Sequence, residues 1–375
     1  MSVSVCMLCC DYVLHKSLRY TGGMISVPED YGLGPRETLQ HTASASQPEF
    51  FDAYWQAFRE EVAALPLRFH GSLDGEVNPV TLTSIRSVRI AARITMPPVS
   101  VKPSGIVITT HGYAPEAFFP NGPEPWTDQG LITVRLRVRG FAPSTIDMPD
   151  FGAQWILHKI EAAESWILRG AVADLIHTCR CARARWPMLP LFVHGESFGG
   201  GLAVISAAQL AAMSEPPDRL VLALPSLGDW SWRAGRYCNG AGALVNAMLN
   251  SFRQEAHRLM QTLLLFDAAL HARSVTMPAL CKLACRDDCV PAPAAASVYN
   301  ALASNEKWLF ATYFGHFDGG LADVRRHVMF EKLHRSFLDP AHPPAWTFKQ
   351  NQGFDWLEPL RMGAEQIAEA RTTSS

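Results

Sequence analysis

The sequence has no surplus of positive charge. Its 33 Lys and Arg stand against 35 Asp and Glu, a formal charge of −2. That balance supplies no field to hold a nucleic-acid backbone or an anionic membrane surface, so neither is expected as a partner. No apolar run approaches the ~18 residues that a membrane-spanning helix needs. Residues 1–10 are mildly apolar, but no Lys or Arg precedes the run and no small-residue cleavage site closes it, so it does not read as a signal peptide. A disulfide framework is also missing. The nine cysteines are odd in number and scattered: Cys6, Cys9 and Cys10 at the start, Cys179 and Cys181 in a helical pattern, Cys238 alone, and Cys281, Cys285 and Cys289 in a strand and the loop after it. This usage predicts reduced thiols and a cytoplasmic location. Cys6-x-x-Cys9 has no second half-site at ligand spacing, so no metal site is expected.

What the chain does have is apolar mass. Of 375 residues, 48% are hydrophobic and 18% charged, enough to build a sizeable core and to exclude global disorder. Residues 48–62 repeat apolar side chains at three- and four-residue steps, the pattern of an amphipathic helix. Residues 80–96 alternate, predicting one or two antiparallel strands. Short apolar runs follow at 105–110, 131–138, 189–193, 219–224, 278–284 and 308–314, each of a length that suits a strand buried on both faces. Helical patterns lie between most of them, at 155–184, 198–212, 242–270, 293–302 and 321–337. Alternating strands and helices predict an α/β fold with a mostly parallel central sheet and helices on both faces. Residues 48–338 form the expected domain. Residues 1–47 read as a partly disordered N-terminal extension, 339–375 as a C-terminal one, and 229–250 as an insertion forming a lid or substrate wall.

The sharpest local feature is Gly195-Glu196-Ser197-Phe198-Gly199, which follows an apolar run and opens a helical pattern. Gly-x-Ser-x-Gly in a strand–turn–helix setting places the serine in a tight, exposed turn, where Ser197 is the expected nucleophile. The glycines leave room for strand and helix to approach, and the helix N-terminus adds a positive field. A serine hydroxyl needs a base to take its proton, and the base needs an orienting carboxylate. His316 lies just past the last expected strand, in a Gly-rich segment, and is the candidate base. Asp287, after the strand at 278–284, is the candidate acid, ahead of Asp288 and of Asp229, which follows the preceding strand. The oxyanion needs donors. The N–H of Phe198 is one, and the N–H of Tyr113, in the loop opened by His111 and Gly112, is the other. His111 itself sits on the wrong strand for a base and reads as a structural support of that loop.

At this point the sequence resembles the acetyl xylan esterase and cephalosporin C deacetylase family of α/β-hydrolases, over residues 48–337. Phe50-Phe-Asp-Ala-Tyr-Trp55 is similar to the family's N-terminal Phe-Asp-x-x-Trp helix, and His111-Gly-Tyr113 to its oxyanion loop. Arg139-Gly140 with Ser144 resembles its Arg-Gly-x-x-x-Ser segment, and residues 262–272, with Asp267, its Tyr-Phe-Asp stretch. Ala284-Cys-Arg-Asp287 followed by Pro291 resembles its acid loop and favours Asp287. His316 followed by Gly319-Gly320 resembles its His-Glu-Gly-Gly end, with one residue inserted. The departures lie at Phe141, Phe198 and Phe317, where the family carries glutamine, glutamine and glutamate. Either they drifted independently or a polar layer behind the triad has become an apolar cluster. In the second case the three rings should lie together, because replacing only one member of a polar layer strands its buried partners at roughly 1–3 kcal/mol each.

The resemblance implies a serine carboxylic ester hydrolase that removes a short acyl group, acetyl foremost, from a hydroxyl-bearing, sugar-like small molecule without a cofactor. A homo-oligomer is left open. Trp126, Pro225 and Trp230 are the candidate substrate-wall residues, with Phe118, Phe119 and Trp232 on nearby loops. Core packing is the alternative role for each. The alternative functions are a thioesterase or acyltransferase with the same triad, and a hydrolase fold used only for binding.

Overall fold

Eight strands make one sheet: β1 (Val77–Thr83), β2 (Arg89–Thr95), β3 (Gly105–Thr110), β4 (Leu131–Arg137), β5 (Leu191–Glu196), β6 (Arg219–Ala223), β7 (Ala279–Ala284) and β8 (Lys307–Thr312). They appear in a computed structural model that describes residues 30–113, 126–312, 315–316 and 320–350. Their spatial order is β1-β2-β4-β3-β5-β6-β7-β8. β1 and β2 pair antiparallel, β2 pairs antiparallel with β4, and every other pairing is parallel. The alternating stretch at 80–96 thus becomes two strands. β1 shows the one-sided burial of an edge strand, whereas all residues of β3, β6 and β7 are buried, as strands covered on both faces must be. The register joins Thr110 to Gly195, Glu196 to Ala223 and Ala284 to Thr312, so the C-terminal ends of the central strands reach one edge of the sheet.

Helices cover both faces. They are α1 (Pro35–Gln40), α2 (Phe51–Ala63), α3 (Ile167–Arg185), α4 (Phe198–Ala212), α5 (Trp230–Arg233), α6 (Gly240–Ser251), α7 (Ala256–Leu265), α8 (Ala268–Ala272), α9 (Ala292–Ala301), α10 (Gly320–Phe337) and α11 (Pro344–Gln350). Because side chains alternate along a strand, Ile106 and Ile108 enter the core beneath α3 and α4, while Val107, Phe192 and Phe310 face Phe330, Leu333 and Phe337 of α10. No described helix is long and apolar enough to cross a membrane.

Two expected helices are broken. The pattern at 155–184 starts as a 3-10 turn (Gly152–Leu157), passes through Lys159 at φ 58°, and becomes α-helical only at Ile167. Two indoles hold it open: Trp155 Nε1–H donates to the Arg139 carbonyl and Trp166 Nε1–H to that of Ile156, both at 2.7 Å. The pattern at 242–270 divides into α6, α7 and α8, and Asp267 caps the last by accepting from the Ala269 N–H at 2.9 Å.

The boundary at residue 48 falls too late. Residues 30–47 are bound into the domain: α1 packs on α9, Asp30 pairs with Arg286 at 3.0 Å, His41 meets Asp229 at 2.8 Å, and Asn300 Nδ2 donates to the carbonyls of Leu39 and His41. The start of the C-terminal extension is docked as well. Arg219 donates to the carbonyls of Phe337, Asp339 and His342, and Phe348 of α11 stacks on Trp308 at 4.4 Å.

Candidate active site

Ser197 stands between β5 and α4 with φ 55° and ψ −115°. A side chain tolerates this region only under strain, and the tight packing around the turn enforces it. A Cβ on Gly195 would lie 2.2 Å from the Gly199 carbonyl oxygen, and one on Gly199 would lie 2.7 Å from that of Thr110. Glycine is therefore required at both positions, and their absence of side chains lets α4 start directly above the strand ends. The Ser197 N–H donates to the Ala223 carbonyl at 2.7 Å, tying the turn to β6. Ser197 keeps partial access to solvent.

Asp287 and His316 meet past the C-terminal ends of β7 and β8. The loop after β8 brings His316 Nδ1 to 2.6 Å from Asp287 Oδ2, with the two side chains only 6% and 2% exposed. The other carboxylate oxygen of Asp287 accepts the N–H groups of Cys289 and Val290, each at 2.9 Å, so the acid is held by its own loop. Burial lowers the His316 pKa, but the Asp287 carboxylate, assisted by Glu196, more than offsets this and holds it above the ordinary imidazole value. The competing carboxylates point elsewhere. Asp288 accepts from Asn239 Nδ2 at 2.6 Å, and Asp229 engages His41 and the Trp232 N–H. Asp287, Asp288 and Cys289 bring donor atoms within 4.8 Å of one another, but Asp287 is already committed to His316 and two N–H groups.

The loop after β3 closes the other side. A Cβ on Gly112 would lie 3.7 Å from Ser197 Cβ, which places the backbone at Tyr113 next to the serine. Phe198 is the first residue of α4, a position whose N–H has no carbonyl one turn earlier in the helix to bond. His111 braces this loop as a neutral ring: Nδ1 bonds the Gly112 carbonyl at 2.9 Å and Nε2 accepts the Val138 N–H at 3.3 Å. Burial, reinforced by the Arg137 charge, pushes its pKa down to about 3, which keeps the ring neutral.

The expected substrate wall is corrected in part. Trp126 and Trp230 are each 3% exposed. The Trp126 ring packs on His194 and His334, and that of Trp230 lies under the Arg233 guanidinium at 4.4 Å, so both are core residues. Pro225 is buried against Gly200 of α4. Phe118 and Phe119 lie outside the described residues. The 229–230 turn is instead fixed from below by Asp267, which accepts the N–H groups of Asp229, Trp230 and Ala269. Burial raises its pKa to about 6 against the effect of those bonds.

Sequence reading missed three supports. Arg139 forms a bidentate pair with Asp174, whose side chains are 4% and 0% exposed, and this pair anchors the segment carrying Phe141. A lone aspartate inside the apolar α3 pattern was the available signal. Trp155 closes over the same segment, and Asn239 links the 229–250 insertion to the acid loop; neither carries a local signature.

A mostly parallel sheet with the serine after β5, the carboxylate after β7 and the histidine after β8 defines an α/β-hydrolase. Within that class, a family model described as acetyl xylan esterase (AXE1) matches residues 35–334, and the chain belongs to this family. It is a carboxylic ester hydrolase. Acetyl xylan esterase from Paenibacillus sp. R4 is 19% identical, with a TM-score of 0.68, covering 80% of this chain and 99% of that one. Acetyl xylan esterase 1 from a Thermoanaerobacterium species is 21% identical, with a TM-score of 0.62, covering 80% and 98%. An acylaminoacyl peptidase from Pyrococcus horikoshii is 13% identical, with a TM-score of 0.53, covering 78% of this chain and 44% of that one. A search of curated protein sequences found no match.

Proposed function

We propose that this enzyme removes acetyl groups from the hydroxyls of a small, sugar-like substrate through an acyl-enzyme on Ser197. The observation that carries the assignment of roles is the buried 2.6 Å contact between His316 Nδ1 and Asp287 Oδ2, taken together with the strained turn that holds Ser197. His316, oriented by Asp287, takes the Ser197 proton through Nε2 as Oγ attacks the ester carbonyl. The carbonyl oxygen becomes an oxyanion, held by the N–H groups of Tyr113 and Phe198. Collapse of the tetrahedral intermediate expels the alcohol, which takes the proton from His316. Water then attacks the acyl carbonyl as it gives a proton to the same imidazole, and collapse breaks the bond to Ser197 Oγ, which takes that proton back as acetic acid leaves. The names of the structural relatives support acetylated sugar hydroxyls as the substrate class.

Hydrolysis of p-nitrophenyl acetate by wild type and Ser197→Ala tests the proposal. The variant should fall to background, and equal rates in both would favour a binding protein. A panel of acyl lengths, with esters against thioesters, should favour acetyl oxygen esters. A preference for thioesters, or transfer to an added alcohol in place of hydrolysis, would support the thioesterase or acyltransferase reading.

A further inference from the structure

The two residues assigned above as oxyanion donors put their side chains into one buried aromatic cluster. The Tyr113 ring lies 5.7 Å from Phe141, 5.8 Å from Phe198 and 6.1 Å from Trp155, centroid to centroid. Phe141 and Trp155 stack at 5.1 Å, and Trp155 meets Phe198 edge-on at 5.1 Å. Phe141 and Trp155 are fully buried and Phe198 is 2% exposed. The four rings come from four segments: the loop after β3, the loop after β4, the 3-10 turn at 152–157, and the first residue of α4.

The cluster is tethered at its rim. The Tyr113 hydroxyl donates to the Ala153 carbonyl at 2.9 Å and accepts the Ile156 N–H at 2.7 Å. Trp155 Nε1–H donates to the Arg139 carbonyl at 2.7 Å. His111 packs edge-on against Phe141 at 4.9 Å while its two nitrogens bridge Gly112 and Val138. Close-packed rings resist displacement, because moving one opens a void against its neighbours.

We propose that Phe141, Trp155 and Phe198 are positioning residues that set the separation of the Tyr113 and Phe198 N–H groups by gripping the Tyr113 ring. This deepens the esterase reading and rests on it. The two phenylalanines lie 6.4 Å apart and share Tyr113, Trp155 and His111 as neighbours. A single amide in place of the Phe198 ring would enter a site walled by aromatic rings, one in place of Phe141 would lie near the Arg137 guanidinium, 5.4 Å from that ring, and a pair could bond each other. Phe317 lies outside the described residues and has no part in the proposal.

The test uses full-length enzyme and p-nitrophenyl acetate. Tyr113→Phe keeps the ring and removes both hydroxyl bonds; Phe141→Leu loosens the grip and preserves apolarity. Each should lower kcat about tenfold, as small displacements of catalytic groups do, with KM within about twofold. Affinity for phenylboronic acid, whose serine adduct carries the tetrahedral negative charge, should fall in parallel. Phe141→Gln and Phe198→Gln should each cost about tenfold, and the double variant should recover to within about threefold of the better single. Unchanged kcat in both Tyr113→Phe and Phe141→Leu, boronate affinity unmoved while kcat drops, or strictly multiplicative losses in the glutamine pair would overturn the proposal. Failure of the parent reading is distinct: wild type would then not be labelled at Ser197 by a fluorophosphonate.

Discussion

At His316, burial and the Asp287 carboxylate oppose each other, and the carboxylate prevails. Catalysis needs the neutral imidazole, so the acid limb of kcat/KM should fall above the ordinary value of about 6.5. Glu196→Gln should move that limb to lower pH, since the carboxylate beside Ser197 contributes to the upward shift. A pH–rate profile of both enzymes checks this, and an acid limb below 6.5 in wild type would contradict it. The stability contribution has the opposite sense. A histidine whose folded pKa is raised stabilises the fold fully below 6.5 and loses that contribution as pH rises through the folded value. Activity should therefore rise across the window in which thermal stability from this pair declines. The carboxylates separate in the same way. Asp287→Asn should lower kcat by about 10⁴-fold through loss of imidazole orientation. Asp288→Asn, which alters a contact to Asn239, should stay within a few-fold, and steady-state kinetics distinguishes the two. Sequence spacing alone ranked Asp287 first but could not exclude its neighbour, because adjacent residues in a loop differ only in direction, which the whole loop decides.

At the level of elements, the fold places function by anchoring loops to helices. α3 carries the buried Asp174 that receives Arg139, and Gly170 on the same helix leaves space for the guanidinium, since a Cβ there would lie 2.4 Å from Arg139 Nε. Asp174→Asn would leave the Arg139 charge buried and unpaired, at a cost of about 3–5 kcal/mol. Chemical denaturation should show this loss, with a reduced kcat in whatever fraction remains folded. The helices at 155–184 and 242–270 were legible as apolar patterns but not as broken ones. Apolar period continues across each break, and the breaks are made by indole hydrogen bonds at Trp155 and Trp166 and by capping at Asp267. Those bonds run from side chains to the backbone of a turn, and an apolar period does not record where a side chain bonds the backbone.

Across the whole molecule, residues 30–47 wrap the site's acid side and join Arg286, Asp229, Asn300 and Arg273 to one segment. A chain starting at residue 48 should melt on the order of 5 °C below one starting at residue 30, the change expected from losing a kcal/mol or two in a domain of this size. Differential scanning calorimetry of the two chains checks the difference. The segment is polar and short in periodicity, so it reads as an extension; it is docked by contacts to α9 and to loops that exist only once the sheet has formed.

The amino-acid order by itself determined the hydrolase architecture and the serine turn, and pointed to His316 and to the loop that holds its carboxylate partner. Those features reside in local steric requirements and in apolar runs of strand length. The tertiary structure alone decided which carboxylate meets the imidazole, that Trp126 and Trp230 fill the core, and that two phenylalanines from distant segments pack around Tyr113. Each of these depends on direction and proximity between residues far apart in the chain, which only the closed packing of loops over the sheet edge can specify.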